Sequence, residues 1–398
     1  MRRPPPYLAQ VLLAGAALTA AVPQSPGQPL APDRAAQAME ASDGRCALRA
    51  GGYVDTDGQI VAAGLLVLDG ARIAQVGGQL PEGVPVEEYP TAILCPGLID
   101  CWTELGAHGD LCERQHAIQP QILAREAFNR FSRQLRAALA AGVTTFALLP
   151  DDQNLVGGQA AICQTAGPGG CPRLLHEAGP LKLSLSPEVF KVDREPTSRM
   201  AALGMLRAAL EAASAADATG PLSDLVRGQR LGLITTPTAA DVLSALQLAE
   251  AYHLRLALCH SHDARQVAPL LNGKVAGVIV GPLDLTAGIR RATAAAFFEK
   301  QGVLVAIAGG LPAAPADSLR IGAAVAARYG LSPAAARRAI TSAPAQLLGI
   351  SEQVGSLQVG RQADVVVFSG DPLDLRSRPL AVYVAGQRVY AAGQGQAQ

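Results

Sequence analysis

Between residues 93 and 350 short apolar runs alternate with helical stretches, and this alternation constrains the fold more than any other feature of the chain. The runs are AILC, VTTFALL, AAICQ, LKLSL, LGLIT, LRLALCH, GVIVG and VLVAIAG, and helical partners fall at 121–141, 197–216, 238–252, 288–301 and 317–329. An unbroken apolar run of this length fits a strand covered on both faces, the condition of a parallel sheet. Parallel neighbours need a crossover long enough to return the chain, and a helix is the usual one. The alternation therefore predicts an α/β fold. Its span of about 258 residues matches a closed (β/α)8 TIM-like barrel over 93–350, with an open doubly wound sheet as the alternative.

On either side the pattern turns to β alone. Residues 46–92 hold AGLLVLDG and ARIAQVGG, with Asp69-Gly70 as a tight-turn dipeptide. Residues 351–398 hold VGSLQVG, ADVVVFSG and AVYVAGQRVY. Because the ends of a domain often lie close in space, the two segments predict one small β-sandwich built from both ends. Residues 23–45 are rich in Pro, Gln and Ala without periodicity and read as a linker. Ahead of them, Arg2 and Arg3 precede an apolar stretch from Leu8 to Val22 that ends in small residues, the pattern of a secretory signal over 1–22. At about 15 residues the stretch is short for a bilayer span, which takes about 20; the rival readings are a disordered arm or an uncleaved anchor. The expectation is an exported protein, periplasmic or extracellular, with no membrane span after signal cleavage.

Charge narrows the partners. Lys and Arg number 33 against 33 Asp and Glu, so there is no net charge with which to displace counterions, and nucleic acid is not expected as a partner. Apolar residues make up 49% and charged ones 17%, a balance that excludes general disorder. Aromatics are 4%, with one Trp, so the core must be aliphatic and rich in small residues.

An oxidising compartment gives the seven cysteines a use. Cys163 and Cys171 flank QTAGPGG, a turn that could fold back and let them bridge, and Cys101 with Cys112 is a second candidate pair. Connectivity does not follow from sequence, and an odd count leaves one thiol over unless it pairs between chains. Cys259 lies in an apolar run and is expected to be buried. His108, Cys112 and His116 recur every four residues, which on a helix would put them on one face and suit Zn2+; Gly109 and the loop composition favour exposed histidines instead. No Gly-x-Ser-x-Gly elbow is present to support a serine hydrolase, and the glycines of NLVGGQ lack a following Lys-Ser for a phosphate loop.

Several ordered motifs carry a family resemblance. They are CPGLID (95–100), AGVTTF (141–146), NLVGGQAAICQTAG (154–167), LKLSLSPEVF (181–190) and PTSRM (196–200), then SAPAQLLGI (342–350), VGSLQVGRQADVVVF (354–368) and GDPLD (370–374). Over about residues 46–395 the chain resembles the amidohydrolase superfamily, most closely its imidazolonepropionase-like and prolidase-like branch. The resemblance implies metal-dependent hydrolysis of cyclic or linear amides or of dipeptides. It also implies ligands at the C-terminal ends of barrel strands: His-x-His after strand one, sometimes a carbamylated lysine, one His each after strands five and six, and an Asp after strand eight. Metals so placed lower the pKa of a bound water and polarise the scissile carbonyl.

The chain departs from that pattern at most ligand positions. Asp100 is followed by Cys101-Trp102-Thr103-Glu104, so Trp102 and Glu104 stand where the two histidines belong. The strand-eight motif reads Ala308-Gly309-Gly310-Leu311-Pro312, with Gly310 in place of the aspartate that binds metal and serves as general base. Strand six, VAGVIVGPLDL, carries no histidine. His260 of CHSHDA keeps the strand-five position, and His262 two residues on would face the same side of a strand. Lys182 lies where some relatives place a lysine near the metals and could be carbamylated.

A catalytic Zn2+ typically needs three protein ligands plus water, so the expectation is either no metal or one divalent ion held by His260, His262, Lys182 and Glu104, with Asp284 as a further carboxylate. Two functions follow from that choice. One is a barrel that has lost metal-dependent hydrolysis and binds a small molecule or peptide, or pairs as a homo- or hetero-oligomer with an active homologue. The other is a hydrolase of C–N bonds, in non-peptide amides or dipeptides, with a rebuilt single-metal site. A purely structural subunit is a third reading. Cys101 could act as a nucleophile with His260 as base, against which stands the Cys101–Cys112 disulfide.

Overall fold

The computed structural model describes residues 44–393; the signal sequence expected at 1–22 and nearly all of the linker expected at 23–45 lie outside the described residues. In chain order the strands are β1 (Arg45–Val54), β2 (Ile60–Asp69), β3 (Arg72–Val76), β4 (Val86–Pro96), β5 (Leu98–Thr103) and β6 (Val143–Leu148). They continue as β7 (Val156–Gln159), β8 (Ala161–Gln164), β9 (Arg173–His176), β10 (Leu181–Ser184), β11 (Gly232–Thr235) and β12 (Leu256–Cys259). The last are β13 (Gly277–Val280), β14 (Val305–Ile307), β15 (Val365–Phe368), β16 (Pro379–Val384) and β17 (Gln387–Ala391).

Three sheets result. A seven-stranded sheet, ordered β17-β16-β15-β4-β1-β2-β3, takes strands from both ends of the chain. A six-stranded sheet, ordered β14-β13-β12-β11-β10-β7, runs parallel from β10 to β14, with β7 antiparallel at its edge. A four-stranded sheet, ordered β5-β6-β8-β9, is parallel only between β5 and β6. The class is therefore α/β with mixed sheets.

Two of the apolar runs take roles other than parallel barrel strands. AILC ends β4 and pairs antiparallel with β15 in the seven-stranded sheet. AAICQ forms β8, which pairs antiparallel with β6. Only Ala160 separates β7 from β8, which leaves no room for a crossover helix.

Period-two alternation sorts each strand between two cores. Leu98, Phe146, Leu148, Leu183, Ile234, Leu258, Val280 and Ile307 pack outward against the helices. Their neighbours Ile99, Cys101, Ala147, Ile162, Leu233, Ala257, Cys259, Ile279 and Ala306 meet in one inner core drawn from both the four- and six-stranded sheets. That inner core is rich in Ala and Cys, which lets the strands approach closely. In β15, Val366 and Phe368 join the helix-side core while Val365 and Val367 face Leu48, Leu66, Leu94 and Tyr383 within the seven-stranded sheet.

The crossover helices sit where the apolar spacing placed them, at Arg199–Ala213, Ala239–Tyr252 and Ser318–Arg328. The second shows why. Thr238 and Asp241 form a reciprocal capping box at its start, and Val242, Ala245, Leu246 and Ala249 make its buried stripe. Among the described residues no helix is long and apolar enough to cross a membrane.

Candidate functional site

The C-terminal ends of β5, β11 and β12 bring Trp102, Thr235 and His260 together, Lys182 reaches them from within β10, and the loop after β6 adds Asp152. Strand ends of this kind hold a site well, because the ladder fixes the backbone while the loop beyond it is free to vary. Lys182 is wholly buried. Its ammonium donates to an Asp152 carboxylate oxygen, to the Leu183 carbonyl at 3.0 Å and to Thr235 Oγ1 at 3.2 Å. It also lies over the Trp102 ring, 4.7 Å from the centroid, within range of a cation–π attraction. Trp102 also contacts His260, the two rings packing edge-to-face at 4.9 Å between centroids, and His260 Nδ1 is 3.1 Å from the Gly281 carbonyl.

Burial is the largest cause of the titration behaviour here, and the Lys182 charge acts on both Asp152 and His260. Burial works against ionising Asp152, but the Lys182 charge and hydrogen bonds from Lys182 and Thr235 overcome it and hold the carboxyl below its ordinary value. Burial, helped by Lys182, pushes the His260 imidazole down against the opposing pull of Asp152, so the ring is neutral at pH 7. Beneath the site, Asp100 is fully buried, and burial raises its carboxyl to about 7 in spite of hydrogen bonds from Trp102 N at 3.2 Å and Gly309 N at 2.9 Å. The Gly309 bond ties β5 to the segment that leaves β14.

The expected metal ligands do not converge. Glu104 sits exposed at the rim, its carboxyl pushed up by partial desolvation and by Asp151, Asp152 and Glu188. Asp284 is exposed and closes its own turn, accepting from Thr286 N and Oγ1, both at 2.8 Å. β12 ends at Cys259, and His260 takes a left-handed φ of 55°. The strand alternation expected to align His260 with His262 is thus broken before it reaches either; the backbone at His262 opens a 3-10 turn, and its side chain lies outside the described residues. Gly310 is left-handed at φ 74°, and a Cβ there would come within 2.9 Å of Pro282 Cβ. Among the described residues no three His, Cys, Asp or Glu side chains are grouped so as to hold a metal ion. Lys182, spent on an ion pair, is a cation where a ligand would be needed. The residues present do not fit the metal centre that the family resemblance implies.

All seven cysteines have free sulfurs. Cys101 is sealed in the inner core while Cys112 lies in the mouth loop, its Sγ 3.5 Å from the Glu113 carbonyl. Cys163 is buried in β8 with Leu174 as its cross-strand partner, and Cys171 is exposed in the connecting loop. Burial drives the Cys101 thiol well up, which does not suit a nucleophile, whose reactive form is the thiolate. His108 and His116 are exposed on a segment without helix, so the one-face arrangement with Cys112 does not arise. Asp152 and Thr235 are the site residues that motif reading passed over. The signal available for Asp152 was the Asp151-Asp152 pair placed just after the apolar run VTTFALL.

Comparison with known proteins agrees with this architecture. The pattern of the Amidohydrolase family matches residues 316–390, from the Ser318–Arg328 helix to the closing strands. The chain is 23% identical over 366 residues to the amidohydrolase tasK of Hapsidospora irregularis, an alignment covering 77% of this chain and 37% of that protein. It thus spans little more than a third of the length of this curated relative. An amidohydrolase structure from Thermotoga maritima MSB8 superposes with a TM-score of 0.78 at 23% identity, covering 87% of this chain and 100% of that one. A prolidase complexed with N-methylphosphonate-L-proline gives a TM-score of 0.57 at 15% identity, covering 87% and 100%. The family pattern across the closing segment and the curated relative support a place in the amidohydrolase superfamily, and the solved structures share the fold.

Proposed function

We propose that this chain is an amidohydrolase-superfamily protein without metal-dependent hydrolysis, which uses the mouth of its barrel to bind a small molecule or peptide or to engage an active homologue. On this reading the four- and six-stranded sheets, which share the inner core, are two arcs of one (β/α)8-type wall. The observation that carries the proposal is the position of Trp102. Its indole contacts both the Lys182 ammonium, at 4.7 Å, and the His260 ring, at 4.9 Å, and so packs an apolar ring among the side chains at the positions that the family resemblance assigns to metal ligands. Gly310 supplies neither a ligand nor a base, and its backbone leaves little room for one. The apolar stretch behind Arg2 and Arg3 supports a place outside the cytoplasm.

Elemental analysis of protein purified without chelators, alongside a His260→Ala variant, tests the reading. Near-zero zinc, manganese and iron in both samples, with no turnover of amide or dipeptide substrates, is the expected result. About one equivalent of metal that vanishes in the variant would instead establish the rebuilt single-metal hydrolase.

A further inference from the structure

The mismatch between these residues and a metal centre has a positive counterpart, because the site already contains a cation. Lys182 enters from β10 with no exposure to solvent, and its ammonium is surrounded as a small bound ion would be. One carboxylate neutralises it, the Leu183 carbonyl and the Thr235 hydroxyl accept from it, and the Trp102 face covers it. An ammonium has three protons to place and no acceptor of its own; Asp152, Leu183 and Thr235 supply three acceptors. We propose that Lys182 is the resident cation of this barrel: its tethered ammonium fills the place of a dissociable metal, and the nest around it is shaped for a primary alkylammonium head, which a free alkylammonium ion can supply only when the Lys182 side chain is removed.

The inference rests on the metal-free reading of the site and extends it to a chemical specificity. A second cation entering the nest would meet the ammonium head-on and would have to share the Asp152 carboxylate. Selectivity for a primary ammonium over other cations follows from the same geometry. The three acceptors match three N–H donors, and a quaternary ammonium, which has none, leaves them without partners. Chain length matters as well, since the tether reaches the nest through a stem packed in the wall of the site.

Lys182→Ala removes three methylenes and the ammonium while keeping Cβ, so n-propylammonium is the missing piece. Trp102 is the sole tryptophan of the chain, so intrinsic fluorescence reports from within the nest. In the Lys182→Ala variant, n-propylammonium chloride is expected to give a saturable change in Trp102 emission and to raise the thermal midpoint by at least about 2 °C. Tetramethylammonium chloride at equal ionic strength is expected to do neither, and the wild type should respond to neither salt. A folded variant with no saturable response to n-propylammonium would overturn the inference, as would an equal response to tetramethylammonium.

If Lys182→Ala does not fold, Lys182→Met keeps the length of the stem without its charge. A shifted Trp102 emission and a lower midpoint are then expected, and a variant identical to wild type in both overturns the assignment. Titrating wild type with zinc chloride separates the two levels of argument. A stoichiometric zinc response in wild type defeats the metal-free reading itself, whereas wild type silent to zinc together with an unresponsive variant defeats the role of Lys182 alone.

Discussion

Replacing Asp152 by alanine should cost the protein more than its position in a loop suggests. The substitution leaves the Lys182 ammonium wholly buried and deprived of its carboxylate, with the Leu183 carbonyl, the Thr235 hydroxyl and the Trp102 face remaining. Breaking a buried ion pair from one side costs about 3–5 kcal/mol, because the survivor keeps its desolvation penalty and loses its compensation. Asp152 retains 20% side-chain exposure, so water can partly fill its place and the lower end applies, about 3 kcal/mol. For a chain of this size that corresponds to a fall in the thermal midpoint of about 5 °C.

Urea unfolding followed by circular dichroism measures the change directly. The double variant Lys182→Met/Asp152→Ala supplies the control, since removing both charges leaves no unpaired ion. It should be no less stable than Asp152→Ala alone, a non-additivity of at least about 1 kcal/mol. A loss below about 1 kcal/mol in Asp152→Ala, or strict additivity in the double variant, would refute the claim that the pair is one buried electrostatic unit.

Two further outcomes follow from the same region. The Asp100 carboxyl is raised to about 7 from an ordinary value of 3.8, so between those values the folded chain keeps a proton that the unfolded chain has released. Stability attributable to this group therefore falls as pH rises from about 4 to about 7 and stays low above that; Asp100→Asn should flatten the slope, and urea midpoints at several pH values that still track wild type would contradict it. Gly310→Asp, which writes the family's aspartate back into the sequence, should lower stability by about 1–3 kcal/mol through a strained left-handed backbone and the approach to Pro282, and should not create metal binding. Calorimetry showing a neutral substitution, or metal uptake by the variant, would count against this account.

Much of the architecture was legible in the alternation of apolar runs and helices, because two-face burial leaves unbroken hydrophobic strings. It failed at AILC and AAICQ, which have the same composition as parallel strands but belong to antiparallel pairs. What distinguishes them is the length of the connection, one residue at Ala160, rather than anything in the runs themselves. At the site, Trp102 and Gly310 could be read directly as departures from the ligand types that the family resemblance implies. The ion pair could not, since Asp152 and Lys182 are thirty positions apart and meet only because β7 turns back against β10. The strand expected to run through His260 stops at Cys259 for a local reason: His260 takes a left-handed backbone conformation.

The seven-stranded sheet has a consequence for the order in which this molecule can be finished. β4 lies at its middle, bonded on one side to β1 and on the other to β15, more than two hundred and fifty residues later in the chain. Until the final strands arrive, the four residues Ile93–Pro96 on one flank of β4 present unpaired backbone groups, a template for any extended segment that meets them. A partly synthesised or C-terminally clipped chain would therefore be adhesive along Ile93–Pro96, and β15 serves as the clasp that ends this hazard.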